Sequence, residues 1–326
     1  MSLLPESLLL QVVIYMLCFV AVWFGAGLVV SSVQEMAKTW KLPEFLISFF
    51  LLGFLTSLPE ASIGAISVLS GDAEIMVGNL LGGVIVVFLL IIPLLAIFGN
   101  GVKMPSQIGR AQLIHLLVVV VAPAFLTADQ RLNRWEGTFL ILLYVSMIFT
   151  FSSKQSFFEK MRTNFATKKR KMLGNLLKIL IGVAVLVGSG SLIVELTVHF
   201  SQILEISPFF VGLVVVALGT NIPEFSIVFK SILSRKKEIA FGDYLGSASV
   251  NTLLLGIFSL LYGNTIQLPN HFLQRFSFLV IGSILLYFFI RTKGTLSRKE
   301  GVILLLLYVG FILVEVFFAA TLSSEA

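Results

Sequence analysis

Two carboxylates stand in the middle of long apolar runs, and each directly follows a proline. Glu60 closes the stretch Thr-Ser-Leu-Pro-Glu that begins at Thr56, and Glu224 closes the stretch Thr-Asn-Ile-Pro-Glu that begins at Thr220, 164 residues further along. A charge at bilayer depth costs about 2.5–3.5 kcal/mol on insertion scales. A proline inside a helix also removes a backbone hydrogen bond. Two such costly motifs in matching form indicate one functional centre built from two copies.

Each motif groups oxygen atoms that bind hard cations. In a helix, Thr56 and Glu60 lie four residues apart on one face, as do Thr220 and Glu224. The proline frees backbone carbonyls of the preceding turn, so that carbonyl, hydroxyl and carboxylate oxygens come together. Calcium takes roughly six to eight oxygen ligands, whereas soft metals prefer sulfur and imidazole. With one cysteine and three histidines in the chain, the motifs predict a site for hard cations.

A glycine motif follows each of these stretches. Gly-Asn-x-x-Gly begins at Gly78 and Gly-Asp-x-x-Gly begins at Gly242, again 164 residues later. Glycines one helical turn apart let two membrane helices approach closely. Asp243 replaces Asn79 in the second copy, and it is interpreted either as a residue of the ion pathway or as a partner between helices.

The composition defines the elements that must position these residues. Of 326 residues, 57% are hydrophobic and 12% are charged, against about 25% charged in soluble domains. Apolar runs long enough to cross a bilayer recur along the whole chain. We therefore predict an all-α polytopic membrane protein with ten transmembrane helices. The predicted spans cover about residues 8–33, 43–70, 73–98, 107–128, 135–152, 172–199, 207–233, 238–262, 271–291 and 299–320.

The ten predicted helices divide into two halves that repeat each other. Matches at the 164-residue offset continue from the Pro-Glu motifs into the glycine motifs without a gap. Because five is odd, the second half would enter the membrane from the opposite side, and inverted repeats of this kind are typical of secondary transporters. We expect a first five-helix repeat at 1–153, a basic linker at 154–171 and a second five-helix repeat at 172–326.

The basic residues predict the orientation. With the N-terminus outside, 20 of the 23 lysine and arginine residues lie in cytoplasmic connections, and only Arg131, Arg134 and Arg275 lie in outer ones. We predict a multi-pass protein of the cell membrane, in contact with the lipid bilayer, with both termini outside and the central loop in the cytoplasm. The net charge of +6 lies largely in these connections and does not indicate binding of nucleic acid.

The sequence offers no chemistry for catalysis. It contains no recognisable nucleophile–base pair, and its glycine-rich stretches lie in predicted membrane spans without a phosphate-binding lysine. We predict that the protein is not an enzyme, that it needs no cofactor, and that its partners are inorganic cations.

The paired motifs resemble those of the calcium/cation antiporter superfamily, and most closely those of its sodium/calcium exchanger branch. Members carry two inverted repeats of the form Gly-Thr-Ser-x-Pro-Glu followed by Gly-Asn-x-x-Gly-Ser-Asn. The resemblance implies that Glu60 and Glu224 are the central ligands, shared by calcium and sodium. The supporting oxygen donors that it implies are the side chains of Thr56, Ser57, Thr220, Ser247 and Asn251 and the backbone carbonyls of Gly53 and Ala217, the last two in outlying sodium sites.

This chain departs from the family pattern mainly in the first repeat. Gly83 stands where the family has a serine ligand and Val87 where it has a polar residue, whereas the second repeat keeps Ser247 and Asn251. Asn221 stands at the second serine position of its motif, and we include it among the predicted ligands. The first-repeat half of the site is therefore depleted, and a full set of sodium sites is not expected.

The sequence supports two functions. The first is secondary active antiport of calcium or a similar cation against sodium or protons, by alternating access in which spans one and six slide across the rest. The second is a degenerate cation-binding membrane protein or sensor without exchange activity, which Gly83 and Val87 favour. Gradient-driven cation flux distinguishes the two.

Overall fold

The described part of the chain is almost entirely helical, with four strands of two residues each. The computed structural model describes residues 7–37, 47–104, 108–152, 169–233, 235–268 and 272–324. Most of the predicted linker at 154–171 lies outside the described residues, and a helix begins at Lys169 within its last three positions.

The first half of the chain contains seven α-helices and two strands among the described residues. The helices are α1 (Leu8–Ala37), α2 (Gly53–Thr56), α3 (Leu58–Ser70), α4 (Ala73–Val86), α5 (Ile92–Phe98), α6 (Arg110–Leu126) and α7 (Arg134–Ser152). The π-helical segment Ile47–Leu52 leads directly into α2, and the π-helical segment Val87–Ile91 joins α4 to α5. The strands are β1 (Val102–Lys103) and β2 (Arg131–Leu132).

The second half, from Lys169 onward, has the same order of elements. Its helices are α8 (Lys169–Leu204), α9 (Pro208–Val211), α10 (Ala217–Thr220), α11 (Ile222–Leu233), α12 (Lys237–Tyr262), α13 (Phe272–Lys293) and α14 (Arg298–Ser324). The π-helical segment Gly212–Val216 joins α9 to α10. The strands are β3 (Ile266–Gln267) and β4 (Thr295–Leu296).

The elements of the two halves recur at the offset found in the motifs. The helix break after α2 recurs after α10, and β1 and β2 recur as β3 and β4, 164 residues later in each case. The strands pair between the halves and are antiparallel, β1 with β4 and β2 with β3. Val102 lies opposite Leu296, and Leu132 lies opposite Ile266. Two short ladders therefore tie one half to the other.

Eight helices of the described chain are long and apolar enough to cross a membrane. The helical pair Phe49–Thr56 and Leu58–Ser70 makes a ninth if it is taken as one span, and it is bent by 49°. A further apolar stretch, Phe276–Thr292 in α13, is shorter. These helices fit a multi-pass membrane protein, and the count of ten spans stays a prediction.

The central helices are buried and the outer ones are not. The helix formed by α4 and α5 and its counterpart α12 are mostly buried, whereas α7 and α14 have far fewer buried residues and expose several large apolar side chains. A helix that is apolar all round belongs in a protein core or in contact with lipid. The arrangement therefore places α4, α5 and α12 at the centre, where the glycine motifs lie.

Helices α1 and α8 pack along each other in an apolar cluster that is separate from the main core and includes Phe19, Val22 and Leu186. They approach closely at Gly25 and Gly182, where a Cβ on Gly182 would lie 2.7 Å from the backbone oxygen of Gly25. Small residues are what allows such an approach. The cluster also takes in Leu55, Ile63, Ile75 and Val216, so the pair packs against the helices that carry the Pro-Glu motifs.

Candidate functional site

Each Pro-Glu motif interrupts its helix by one residue, and at the first motif the two pieces are bent by 49°. We predicted a single span over 43–70, but α2 ends at Thr56 and α3 begins at Leu58, with Ser57 between them at φ −80° and ψ 7°. Asn221 has nearly the same conformation, φ −84° and ψ 10°, between α10 and α11. A proline is tolerated in the first turn of a helix because the N–H that it lacks has no intrahelical partner there. Each motif thus ends one helix and starts the next.

Each glutamate lies in the first turn of the new helix. Glu60 belongs to the first turn of α3 and Glu224 to that of α11. The positive end of the helix dipole favours a carboxylate at this position, and the preceding helix points its carbonyl oxygens towards the break. Both side chains are 1% exposed. The breaks therefore bring carboxylate and carbonyl oxygens together inside the protein.

At the first crossing, defined as the contact of α12 with Ile47–Leu52 and α2, glycines let the backbones touch. A Cβ on Gly53 would lie 2.7 Å from the backbone nitrogen of Ser247. A Cβ on Gly246 would overlap the backbone oxygen of Phe49. The glycine motif of the second repeat thus holds α12 against the helix break of the first.

The second crossing is the contact of α4 with Gly212–Val216 and α10, and it repeats this design. A Cβ on Gly82 would lie 2.8 Å from the Cβ of Ala217, and a Cβ on Gly78 would overlap the backbone oxygen of Phe209. Each half therefore supplies a glycine-bearing helix to the break of the other half.

A threonine joins the helices at each crossing. Thr56 Oγ1 donates to Asp243 Oδ1 at 3.2 Å, and Thr220 Oγ1 donates to Asn79 Oδ1 at the same distance. The sequence singled out the threonines but missed the role of Asn79, although Asn79 and Asp243 occupy one position of the repeated glycine motif. The geometry makes Asp243 a partner between helices, one of its two predicted interpretations.

The residues at the breaks make different contacts in the two halves. Ser57 Oγ donates to the backbone oxygen of Gly53 at 3.0 Å and lies 3.4 Å from that of Ser247. Asn221 Nδ2 donates to the backbone oxygen of Ala217 at 2.8 Å and to Glu60 Oε1 at 3.2 Å. The carbonyl oxygens of Gly53 and Ala217 also lie 3.3 Å from the hydroxyls of Thr56 and Thr220 and from the backbone nitrogens of Ser57 and Asn221, so each is the meeting point of several donors at its break.

The polar face of α12 lies at the same centre. Ser247 Oγ donates to the backbone oxygen of Tyr244 at 3.3 Å, and Asn251 Nδ2 donates to that of Leu80 at 3.3 Å. Tyr244, which the sequence did not single out, donates its hydroxyl proton to the backbone oxygen of Glu224 at 3.0 Å. The tyrosine therefore fixes the start of α11 against α12.

All ten predicted ligand positions lie at the two crossings, and all ten are buried. They are Gly53, Thr56, Ser57, Glu60, Ala217, Thr220, Asn221, Glu224, Ser247 and Asn251. Val87, at the position that corresponds to Asn251, begins the π-helical segment of the first half, whereas Asn251 lies within the continuous helix α12. The two halves of the centre therefore share a framework but differ in its polar lining.

Several buried acceptor atoms at this centre have no hydrogen-bond partner among the described residues. They are Glu60 Oε2, Glu224 Oε2, Asp243 Oδ2 and Asn251 Oδ1. Asn79 Nδ2 is an unpaired donor beside them. An unsatisfied buried polar group costs about 1–3 kcal/mol, and more if it is charged. A cation bound among these oxygens would offset that cost.

The atoms at this centre that could ligate a cation are oxygens, which are hard ligands. Within the described ranges no three side chains of histidine, cysteine, aspartate or glutamate converge to hold a metal ion. A bound cation would therefore take most of its ligands from hydroxyl, carbonyl and amide oxygens, with carboxylates supplying the charge. Calcium and other hard cations accept such mixed oxygen shells.

The chain is similar over most of its length to known membrane proteins. The chain is 24% identical over 289 residues to the inner membrane protein YrbG of Escherichia coli (strain K12), which covers 85% of this chain and 88% of that protein. It is 24% identical over 329 residues to the sodium/calcium exchanger MaX1 of Methanosarcina acetivorans, covering 89% of this chain and 94% of the exchanger.

The fold is similar to that of a solved structure of the sodium-calcium exchanger NCX_Mj. The TM-score is 0.66 at 22% sequence identity, and the match covers 94% of this chain and 98% of the other. At this level of identity the likeness concerns the fold. It supports the arrangement of helices described above.

Residues 10–152 and 175–317 match the sodium/calcium exchanger protein family. The class of protein is thus a multi-pass membrane transporter, a cation antiporter rather than an enzyme. The chain belongs to the sodium/calcium exchanger family.

Proposed function

We propose that this protein is a secondary active antiporter that exchanges calcium or a similar cation for sodium or protons across the cell membrane. The observation that carries the proposal is the group of unpaired, buried acceptor oxygens at two matched helix breaks, which include one oxygen each of Glu60 and Glu224. A site that is stabilised by a cation, and that two kinds of cation can occupy in turn, is the physical basis of exchange.

The proposed ligands combine charge with neutral oxygens. Glu60 and Glu224 supply the central charge, which suits one divalent cation or several monovalent ones. The supporting ligands that we propose are Thr56, Ser57, Thr220, Ser247 and Asn251, with the carbonyls of Gly53 and Ala217. Asn221 would contribute only through its Oδ1, because its nitrogen is hydrogen-bonded to Glu60. The dipoles of the helices that end and begin at the breaks favour a cation and its carboxylates at this point.

We propose that the exchange takes place on ten transmembrane helices in two inverted repeats, 1–153 and 172–326, joined by the basic linker 154–171. Both termini would be outside. The recurrence of the helix breaks and of the strands at one offset supports this arrangement, as does the pairing of strands between the halves.

Alternating access would come from movement of α1 and α8 across the other helices. The contact of the pair with the helix breaks through Leu55, Ile63 and Val216 supports this, because the pair lies outside the main core and borders the proposed site. Inverted repeats that rock or slide about a central site are the general solution in secondary transporters.

The test is cation flux into proteoliposomes that hold the purified protein. We expect calcium uptake when an outward sodium, potassium or proton gradient is imposed, and none when all gradients are absent. Failure of every gradient to drive calcium or another hard cation would overturn the proposal.

A second candidate function is a cation-binding protein or sensor without exchange. The contact of Asn221 with Glu60 favours it, because the amide takes up one carboxylate oxygen. Thermal stabilisation by calcium in the absence of any driven flux is the result expected of such a protein.

A further inference from the structure

One pair of facing positions differs between the two crossings. At the first crossing Ser57 faces Ser247, whose backbone oxygen lies 3.4 Å from the serine hydroxyl. The positions that correspond to them at the second crossing are Asn221 and Gly83. A Cβ built on Gly83 would lie 3.3 Å from Asn221 Nδ2. Two serines in one half are therefore matched by one larger side chain and one glycine in the other.

The glycine makes room for the asparagine. The same Cβ on Gly83 would lie 2.8 Å from Asn251 Nδ2, which is closer than ordinary packing allows. A serine at this position would add a hydroxyl to a space that the amides of Asn221 and Asn251 already fill. In the sequence, Gly83 and Asn221 look like two separate departures from the family motif. In the structure they are linked by an exchange of volume across the crossing: the side chain absent at Gly83 leaves space for the larger side chain of Asn221.

The orientation of the Asn221 amide is fixed by its surroundings. Its nitrogen lies 2.8 Å from the backbone oxygen of Ala217 and 3.2 Å from Glu60 Oε1, and both of these atoms are acceptors. The reverse orientation would set oxygen against oxygen, so the hydrogen-bond network selects the nitrogen. An N–H group cannot ligate a cation, and it occupies a carboxylate oxygen that a cation would otherwise use.

Glu224 has a different environment from Glu60. The residue that corresponds to Asn221 is Ser57, and its hydroxyl is directed to the backbone oxygens of Gly53 and Ser247 rather than to a carboxylate. On α12, Asp243 is hydrogen-bonded to Thr56, whereas Asn251 donates to the backbone oxygen of Leu80 in α4. The amide that meets Glu60 therefore has no counterpart at residue 57.

We propose that Asn221, admitted by Gly83, takes the place of one coupling cation beside Glu60 and so determines how many ions the exchanger binds. The proposal rests on the proposed antiport and specifies its ion set. Glu60 contributes to ion binding through Oε2, the oxygen that the asparagine leaves unpaired. A chain with serine at both 83 and 221 binds one more monovalent cation than this one.

The test compares the wild type with Gly83→Ser, Asn221→Ser and the double variant. The first readout is the sodium dependence of the thermal stability of the purified protein, whose slope against the logarithm of concentration grows with the number of ions bound to the folded state. The second is the Hill coefficient of sodium in driven flux. In the double variant we expect this coefficient to rise by about one, because it is bounded by the number of sites.

The single variants test the exchange of volume. We expect Gly83→Ser alone to lower flux about tenfold through overpacking. The double variant is expected to recover the part of that loss that is due to Asn221, because Asn251, 2.8 Å from the new Cβ, stays in place. The matched control reverses the exchange at the first crossing with Ser57→Asn and Ser247→Gly, and it is expected to flatten the sodium slope.

The outcomes separate this inference from the antiport itself. A double variant with the wild-type sodium slope and Hill coefficient overturns the role of Asn221, even if driven flux is present. A steeper sodium slope in the double variant supports that role, even if the wild type shows no driven flux and the antiport is wrong. If the double variant is too unstable for the flux assay, the single variant Asn221→Ser is compared with the wild type by the sodium dependence of its thermal stability. An unchanged slope in that variant counts against the proposal.

Discussion

Thr56 and Thr220 make the same hydrogen bond to residues that differ by one charge. Thr56 donates to Asp243 and Thr220 to Asn79, both at 3.2 Å. An asparagine oxygen accepts this bond as an aspartate oxygen does, so the bond itself does not require the charge. The charge of Asp243, which is fully buried, is therefore best explained by a cation that it helps to attract.

We predict that Asp243→Asn weakens calcium binding about tenfold, the effect of a loss of about 1.4 kcal/mol, while the fold is kept. The structural reason is that an asparagine at this position would accept from Thr56 as Asn79 accepts from Thr220. Calcium-dependent thermal stabilisation measures the change, and the converse variant Asn79→Asp is expected to tighten binding. If Asp243→Asn and the wild type show the same calcium-dependent thermal stabilisation, the charge of Asp243 does not contribute to calcium binding.

For individual residues, the sequence predicts which side chains form the centre. It does not predict which of their atoms are free to bind a cation and which are hydrogen-bonded to each other. The two glutamates, the threonines and the polar face of α12 follow from repeated motifs and helical spacing. The contact of Asn221 with Glu60 and its dependence on Gly83 join residues 161 and 138 positions apart. Such contacts depend on how two helices cross, which no local spacing records.

The elements at the centre are short helices that end where the site begins. Both α2 and α10 have four residues and follow π-helical segments, Ile47–Leu52 and Gly212–Val216. Turns of the π-helical kind are rare in proteins but frequent at functional sites. The apolar runs predict the spans, but they do not predict a break, since a proline is compatible with either a kink or a new helix. The break follows from the close contact of backbones at the crossings.

We predict that Gly246→Ala destabilises the protein by roughly 1–3 kcal/mol, because the new methyl group would overlap the backbone oxygen of Phe49. The matched control is Gly27→Ala in α1, where a Cβ would meet nothing within 4 Å. Alanine at an exposed helical position is about 1 kcal/mol better than glycine, so the control is expected to be neutral or stabilising. Thermal unfolding in detergent measures both, and similar effects for the two variants would contradict the close crossing.

The whole molecule is an apolar body whose polar groups lie at its centre and its ends. Exposed leucine, valine and phenylalanine side chains on α1, α7, α8 and α14 are expected where helices face lipid. The long apolar runs predict this architecture directly, because a run of about 20 apolar residues crosses a bilayer as a helix, which satisfies its own backbone hydrogen bonds. The pairing of β1 with β4 and of β2 with β3 could not be predicted, since strands of two residues carry no periodic pattern.

The proposed orientation predicts which end of the molecule each ladder occupies. With Cys18 replaced by alanine, we expect a membrane-impermeant maleimide to label Arg131→Cys in intact cells. Arg298→Cys is expected to react only after permeabilisation, because basic residues favour the cytoplasmic side. Both positions are exposed in the structure. Labelling of both variants from the same side would contradict the inverted arrangement.

The most direct test of the central claim is calcium counterflow in proteoliposomes, in which labelled calcium outside exchanges for unlabelled calcium inside. We predict rapid counterflow for the wild type. We predict its loss in Glu60→Gln and in Glu224→Gln, with each variant still inserted in the membrane. The control Glu238→Gln removes an exposed carboxylate of α12 and is expected to keep the wild-type rate. Wild-type counterflow in either buried-glutamate variant would contradict the claim that the two helix breaks form the cation site.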